Sequence, residues 1–213
     1  MMIASALHLD RRAVKALKIT DLYSLHRVVY SLYPDVRTQE EKQSSTSSGI
    51  LFADQGGDHT GRRILLLSNR EPRPCVDGDY GAVIGKEIDD NFLSFKAYRF
   101  KVIINPTRRD SKSRKLIPVK TRDEIAVWFA ERAASSWGFD APLEFLQVDA
   151  INVHQFADKV SRPITIAQAH VQGLLNVVDP ERFRKCFADG IGRARGYGCG
   201  LLQIVPLKVH TSL

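Results

Sequence analysis

Tyr23, His26 and Arg27 fall within the stretch "LYSLHR", which puts a phenol, an imidazole and a guanidinium close together in the chain. On a wheel of about 100° per residue, Tyr23, His26, Arg27 and Tyr30 gather on one side of a helix, and Leu22, Leu25, Val28, Val29 and Leu32 gather on the other. An imidazole has an unperturbed pKa of about 6.5, so it gives or takes a proton at neutral pH. A phenol one turn away orients or donates, and a guanidinium holds an anion. The set suits proton transfer beside a charged substrate, although a surface histidine on an amphipathic helix would look the same by itself.

A second group lies in "GIGRARGYGCGLLQIVP", residues 190–206. Gly190, Gly192, Gly196, Gly198 and Gly200 surround Arg193 and Arg195. Glycines let a foreign backbone approach the main chain closely, and the arginines add positive charge, which together fit a loop that receives phosphates. Two phosphate-cradling patterns are excluded. A P-loop needs Lys and then Ser or Thr after its last glycine, where this chain has Leu201. A dinucleotide fingerprint opens a helix after a strand, whereas this loop follows a helix, expected from the Asp179 cap and Pro180 to Asp189, and opens a strand over 201–205.

The elements that must hold these groups are read in order. A strand is expected over residues 2–9, a basic link over 11–18, and a helix capped by Thr20 or Asp21 and stopped by Pro34. The Ser/Thr-rich stretch 36–49 reads as a surface loop. Strands follow near 50–53, 63–68, 83–88 and 93–104, and the connection 69–81 is broken by Pro72, Pro74 and Gly78. If that connection hides a short helix, the first half reads β-α-β-β-α-β. Arg108, Arg109, Lys112, Arg114, Lys115, Lys120 and Arg122 crowd the next segment, which is either a solvated linker or a track for phosphates. Thr121 and Glu124 form a capping box for a helix burying Ile125, Trp128, Phe129 and Ala133 and ending at Gly138. Strands over 143–156 and 164–178 come next, the second with Gln168, His170, Gln172 and Asn176 on one phase. The last helix packs through Phe183, Cys186 and Phe187, and with the terminal strand the second half reads β-α-β-β-α-β as well.

The chain of 213 residues carries 31 Lys+Arg against 24 Asp+Glu, a net charge of +7 that favours a polyanionic partner. Cys75, Cys186 and Cys199 are widely spaced with no Cys-x-x-Cys pair, which argues against a disulfide framework or a zinc site. No carboxylates cluster at metal-ligand spacing, and neither a signal peptide nor a membrane span is recognisable. A cytoplasmic protein without metal is the expectation.

The helix, basic glycine-rich loop and terminal strand, ending "GCGLL" with a Pro soon after, resemble the CRISPR-associated RNA-processing proteins, in particular the type I-E CasE family of repeat-RNA endoribonucleases. Tyr23, His26 and Arg27 match the family's Y-x-x-H-R pattern, and Asn105–Pro106 before Arg108 matches its strand end. The resemblance implies an α+β protein of two tandem ferredoxin-like (RRM-like) domains, residues 1–91 and 92–213. It implies cleavage of CRISPR repeat precursor RNA at the 3′ base of a stem-loop by 2′-hydroxyl attack, with no metal or small-molecule cofactor, and a place in a type I-E surveillance complex. Tyr23 and His26 would be catalytic. Contacts to RNA would come from Arg27, from Arg108, Arg109, Lys112, Arg114 and Lys115, from Lys159 and Arg162 near a hairpin tip, and from Gly192, Arg193, Arg195 and Gly198. Where the family has a further basic residue later on the first helix, this chain has Ser31, so Arg27 or a cation from elsewhere would stabilise the phosphorane. Two rivals stand beside this reading: an inert RNA-binding subunit of such a complex, and an unrelated enzyme acting on a small anion.

Overall fold

Ile3, Ser5, Leu7 and Leu9 turn inward in alternation along strand β1 (Ile3–Leu9), as a half-buried strand requires. The computed structural model describes residues 1–34, 36 and 48–207; residues 37–47 of the expected Ser/Thr-rich loop lie outside the described residues. The chain divides into two compact units. One comprises Met1–Ile88, Phe156–Ile164 and Gly196–Gly198; the other comprises Asp89–Gln155, Thr165–Arg195 and Cys199–Leu213.

In the first unit, β2 (Ile50–Gly57), β3 (Arg62–Ser68), β1 and β4 (Ala82–Glu87) form an antiparallel sheet in the order β2-β3-β1-β4. Helix α1 (Arg11–Ala16) occupies the segment expected as a basic link. Asp10 caps it by accepting from the Ala13 N–H at 2.6 Å, Ala13 is buried, and Val14 and Leu17 pack against the same core, so a cap and a short apolar face suffice where charge alone suggested a linker. Helix α2 (Leu22–Ser31) begins at a reciprocal box: Asp21 accepts from the Ser24 N–H at 2.7 Å, and the Ser24 hydroxyl accepts from the Asp21 N–H at 2.9 Å. Its Leu25, Val28 and Val29 pack with Leu7, Leu9, Phe52, Ile64 and Leu66 in one apolar cluster. The opposite face is thereby held outward. Between β3 and β4 no helix forms among the described residues; the chain instead closes a small turn through a Val76–Tyr80 bridge, as its prolines dictate.

In the second unit, β5 (Ala97–Ile104) is followed by a small hairpin of β6 (Thr107–Arg109) and β7 (Leu116–Pro118). The basic segment is thus an ordered two-stranded turn rather than a linker. Helix α3 (Arg122–Arg132) starts at the Thr121–Glu124 box and runs through a π turn, Ala133–Trp137, to Gly138 in the left-handed region. Strand β8 (Phe139–Asp140), the long hairpin of β9 (Gln147–Ala157) and β10 (Pro163–Val177), helix α4 (Pro180–Asp189) and strand β11 (Gln203–Pro206) complete the chain. The sheet order is β11-β5-β10-β8, with β9 also on β10. Its core is aromatic: Phe100 stacks on Phe129 at 5.3 Å, with Trp137, Phe139 and Phe183 around them.

Several expected boundaries move, each for a local reason. The strand foreseen from residue 93 begins at Ala97, because Asp89 caps a 3-10 turn, Asp90–Leu93, by accepting from the Asn91 N–H. The strand foreseen from residue 143 begins at Gln147, after a 3-10 turn, Leu143–Phe145, that follows Pro142. Leu201 and Leu202 are buried ahead of the terminal strand rather than within it. Trp128 and Cys186 are half-buried, not core, and Gln168 is buried despite its polar phase, donating to the Cys199 sulfur at 3.6 Å. No helix among the described residues is long and apolar enough to cross a membrane.

Candidate active site

His26 lies on the outward face of α2, half-buried, with its Nδ1 2.6 Å from the carbonyl oxygen of Gly196. A carbonyl only accepts, so Nδ1–H donates. Three phenol rings surround the imidazole. Tyr30, one turn on, packs at 4.1 Å between centroids, Tyr23 stacks at 6.2 Å and 14°, and Tyr197 leans in at 5.5 Å. The Tyr30 hydroxyl is hydrogen-bonded to the Ser48 hydroxyl at 2.9 Å.

The glycine bend is built to bring Tyr197 there. Gly198 has φ +82°, and a Cβ at that position would meet the Phe52 ring at 3.1 Å, so glycine lets the bend lie on the buried Phe52. On its other side the Tyr197 ring packs against Phe156 at 5.1 Å. Burial pushes the Tyr197 phenol above its ordinary pKa, and the Asp158 carboxylate adds to this while Arg162 opposes it. The phenol stays protonated at neutral pH.

The other residues singled out from the sequence have these settings. In the first unit, Arg27 is exposed and Lys159 is exposed at the hairpin tip. Arg162 is clasped by Asp158, whose carboxylate accepts from the Arg162 backbone N–H at 2.9 Å and pairs with its guanidinium at 2.8 Å. Those bonds, the backbone one foremost, hold the Asp158 carboxyl below its usual range. In the second unit, Arg108, Arg109, Lys112, Arg114 and Lys115 all lie exposed on the β6–β7 hairpin. Asp110 orders its turn by accepting from the Ser113 N–H and hydroxyl, both at 2.7 Å, and Arg109 donates to the Arg114 carbonyl at 2.9 Å. Gly192 and Arg193 are exposed, whereas Arg195 donates to the Asp189 carbonyl at 2.6 Å and so caps the end of α4. Among the described residues, no group of three or more His, Cys, Asp or Glu side chains is placed to hold a metal ion.

The structure therefore brings Tyr23 and His26 together with the glycine bend. The sequence places Tyr30 on the His26 face and Gly196 in the glycine-rich loop, but it assigns neither a contact with the imidazole and gives Tyr197 no role. The signals were slight: Tyr30 lies four residues from His26 on one helix face, and Tyr197 is an aromatic residue between two glycines.

The family model described as CRISPR associated protein matches residues 2–206. The CRISPR-associated endoribonuclease Cse3 of Thermus thermophilus is 29% identical over 117 residues, an alignment that spans 51% of this chain and 55% of that relative. Among solved structures, Thermus thermophilus Cse3 bound to an RNA representing a pre-cleavage complex superposes with a TM-score of 0.77 at 22% identity, covering 96% of this chain and 99% of that one. A chain of a CRISPR RNA-guided surveillance complex in its pre-nicking state superposes with a TM-score of 0.70 at 21% identity, covering 96% and 100%. The structural likenesses establish a shared α+β fold, and the match over nearly the whole length establishes the family: this chain belongs to the CRISPR-associated proteins.

Proposed function

We propose that this protein is a metal-independent endoribonuclease that cuts CRISPR repeat precursor RNA at the 3′ base of the repeat stem-loop. The 2′-oxygen bonds to phosphorus as the bond from phosphorus to the 5′-oxygen breaks. The products are a 2′,3′-cyclic phosphate on the upstream fragment and a mature guide RNA that stays bound in a type I-E surveillance complex in the cytoplasm. The observation that carries this reading is the imidazole of His26, oriented by the Gly196 carbonyl and ringed by tyrosines, in a chain of this family. A ribose 2′-hydroxyl is a nucleophile already in place, so the protein need only align it, move protons and stabilise charge. Within that scheme His26 transfers a proton and Tyr23 orients the hydroxyl or donates to a phosphate oxygen.

The strand orders β2-β3-β1-β4 and β11-β5-β10-β8 support two tandem ferredoxin-like domains, which we draw at residues 1–91 and 92–213. The exposed cations of the β6–β7 hairpin, with Arg27, Lys159, Arg162, Arg193, Arg195 and the glycines Gly192 and Gly198, form the RNA-binding set. A-form stems are gripped by backbone geometry, which suits a spread of surface charge. Ser31, whose hydroxyl donates to the Val28 carbonyl at 2.8 Å, leaves Arg27 as the cation of this face of α2, and this favours as second reading an inert subunit that binds the RNA without cutting it.

A single-turnover assay on the repeat hairpin, with chelator present and the product ends identified, tests both. Cleavage with a cyclic phosphate end, lost in His26→Ala while affinity is retained, is the expected result. Tight binding without cleavage by the unaltered chain would establish the inert subunit instead.

A further inference from the structure

The hydrogen bond from His26 Nδ1 to the Gly196 carbonyl has a chemical consequence for the rest of the ring. With the hydrogen on Nδ1, the lone pair of the neutral imidazole belongs to Nε2. We propose, resting on the reading of His26 as the proton-transfer group, that the Gly196 carbonyl and the Tyr197 ring are positioning groups that commit this imidazole to the Nδ1–H tautomer and present Nε2 to the scissile phosphodiester.

The carbonyl is well placed to do this. It belongs to a 3-10 turn, Arg195–Tyr197, that is followed directly by Gly198 at φ +82° against Phe52. Tyr197 is wedged between the His26 ring at 5.5 Å and the Phe156 ring at 5.1 Å, so the turn that carries the carbonyl is anchored on both sides of its aromatic residue. On the helix side, Tyr30 packs at 4.1 Å and is itself tied to Ser48. A half-turn about χ2 of His26 would exchange Nδ1 for a ring carbon and lose the bond to Gly196. Rings on both flanks and one directional bond therefore select a single orientation.

Among the described residues, titratable groups in ring contact with the imidazole are Tyr23 and Tyr30 from its own helix and Tyr197 from the bend. Tyr197 is kept neutral by burial, so it acts on His26 through its ring and its backbone rather than as a base. Nδ1 donates to Gly196 whether the ring is neutral or cationic. Only Nε2 changes its proton count, and any proton that reaches or leaves the 2′-hydroxyl or the departing 5′-oxygen through this residue passes there.

The test is long-range proton–nitrogen NMR on the full chain labelled with [15N]histidine, at a pH where the imidazole is neutral. The spectrum of His26→Ala identifies the signals by their disappearance. Expected are a protonated-type shift at Nδ1 and an unprotonated-type shift at Nε2. In Tyr197→Leu the two tautomers mix and single-turnover cleavage falls about tenfold, the worth of one oriented hydrogen bond, with RNA affinity kept. Tyr197→Phe, which retains the ring, recovers both. An Nε2–H tautomer in the unaltered chain overturns the inference, as does a Tyr197→Leu variant with unchanged tautomer and rate. Undiminished cleavage by His26→Ala would instead overturn the ribonuclease role of His26 itself, a failure separable from that of the tautomer.

Discussion

Three glycines of the C-terminal bend have different reasons to be glycine, and replacing each with alanine separates those reasons. At Gly200 a Cβ would lie 2.4 Å from the Ile191 carbonyl oxygen, and φ is +87°. The left-handed backbone costs an alanine about 1–2 kcal/mol. The collision is with backbone, and Ile191 is bonded to Gly200 through its N–H at 3.0 Å, so the clash is relieved only by disturbing that bond, for roughly 1–3 kcal/mol more. At Gly198, φ is +82° and the contact is 3.1 Å to the edge of the fully buried Phe52 ring, which yields by a few tenths of an ångström; the cost there is about 2 kcal/mol, mostly conformational. Gly196 has no positive φ, and its Cβ would stand 3.6 Å from His26 Nδ1 and 3.8 Å from the Tyr30 hydroxyl, which are ordinary contacts. Gly196→Ala should therefore change stability by no more than about 0.5 kcal/mol.

Thermal unfolding reads the series directly. For a chain of this size each kcal/mol lowers Tm by about 2–4 °C, so Gly200→Ala should fall by about 4–20 °C, Gly198→Ala by about 4–8 °C and Gly196→Ala by less than about 2 °C. The ranking matters more than the values. A Gly196→Ala variant as unstable as Gly200→Ala, or a Gly200→Ala variant with the parent Tm, would refute the assignment of these positions from backbone angle and Cβ space.

Thr121→Ala removes a capping box in which Thr121 Oγ1 accepts from the Glu124 N–H at 3.2 Å, and should cost about 1 kcal/mol in urea unfolding. Burial pushes the Cys199 thiol from 9.0 up to about 12, so above pH 9 the unfolded chain loses a proton that the folded chain keeps. Stability should accordingly decline between pH 9 and 12 by an amount that disappears in Cys199→Ala, measured as the urea midpoint at pH 8 and at pH 10.5. The same thiol, 0% exposed and protonated, should resist alkylation at neutral pH until the chain is unfolded. Replacing Lys112 and Lys115 with Gln should weaken binding of the repeat hairpin and flatten its dependence on salt by about 0.7–0.9 for each phosphate left without its cation, in a titration across salt concentrations.

What the sequence made legible was local and periodic. Helix α2 could be placed because Leu25, Val28 and Val29 recur at helical spacing and Asp21 offers a cap; α3 and α4 follow from Thr121 and from Asp179 with Pro180 in the same way. The misplacements occur where a single short interaction outweighs composition. Asp10 and Ala13 turn a run of basic residues into a helix, and Asp110 turns another into the tip of a hairpin. Arg195 shows the converse: a cation chosen for its charge also serves to cap the α4 carbonyl of Asp189.

The site itself divides along the same line. Tyr23 and His26 share a helix face, so three residues of sequence suffice to pair them. His26 and Gly196 are 170 residues apart, and no periodicity spans that distance; their meeting depends on the burial of Phe52 beneath Gly198 and of Phe156 beside Tyr197. Side-chain chemistry could single out the imidazole of His26, but the group that orients it is a backbone carbonyl, which every residue possesses and no sequence pattern marks. The orientation of the imidazole is therefore a property of the packed bend, and substitutions at Phe52 or Phe156 should loosen His26 without touching it. Phe156→Ala, which removes the far side of the Tyr197 wedge, is expected to broaden the His26 NMR signals and, because Phe156 is buried, to lower Tm by about 6–20 °C; sharp, unshifted signals below that lowered transition would show that the helix face alone holds the ring.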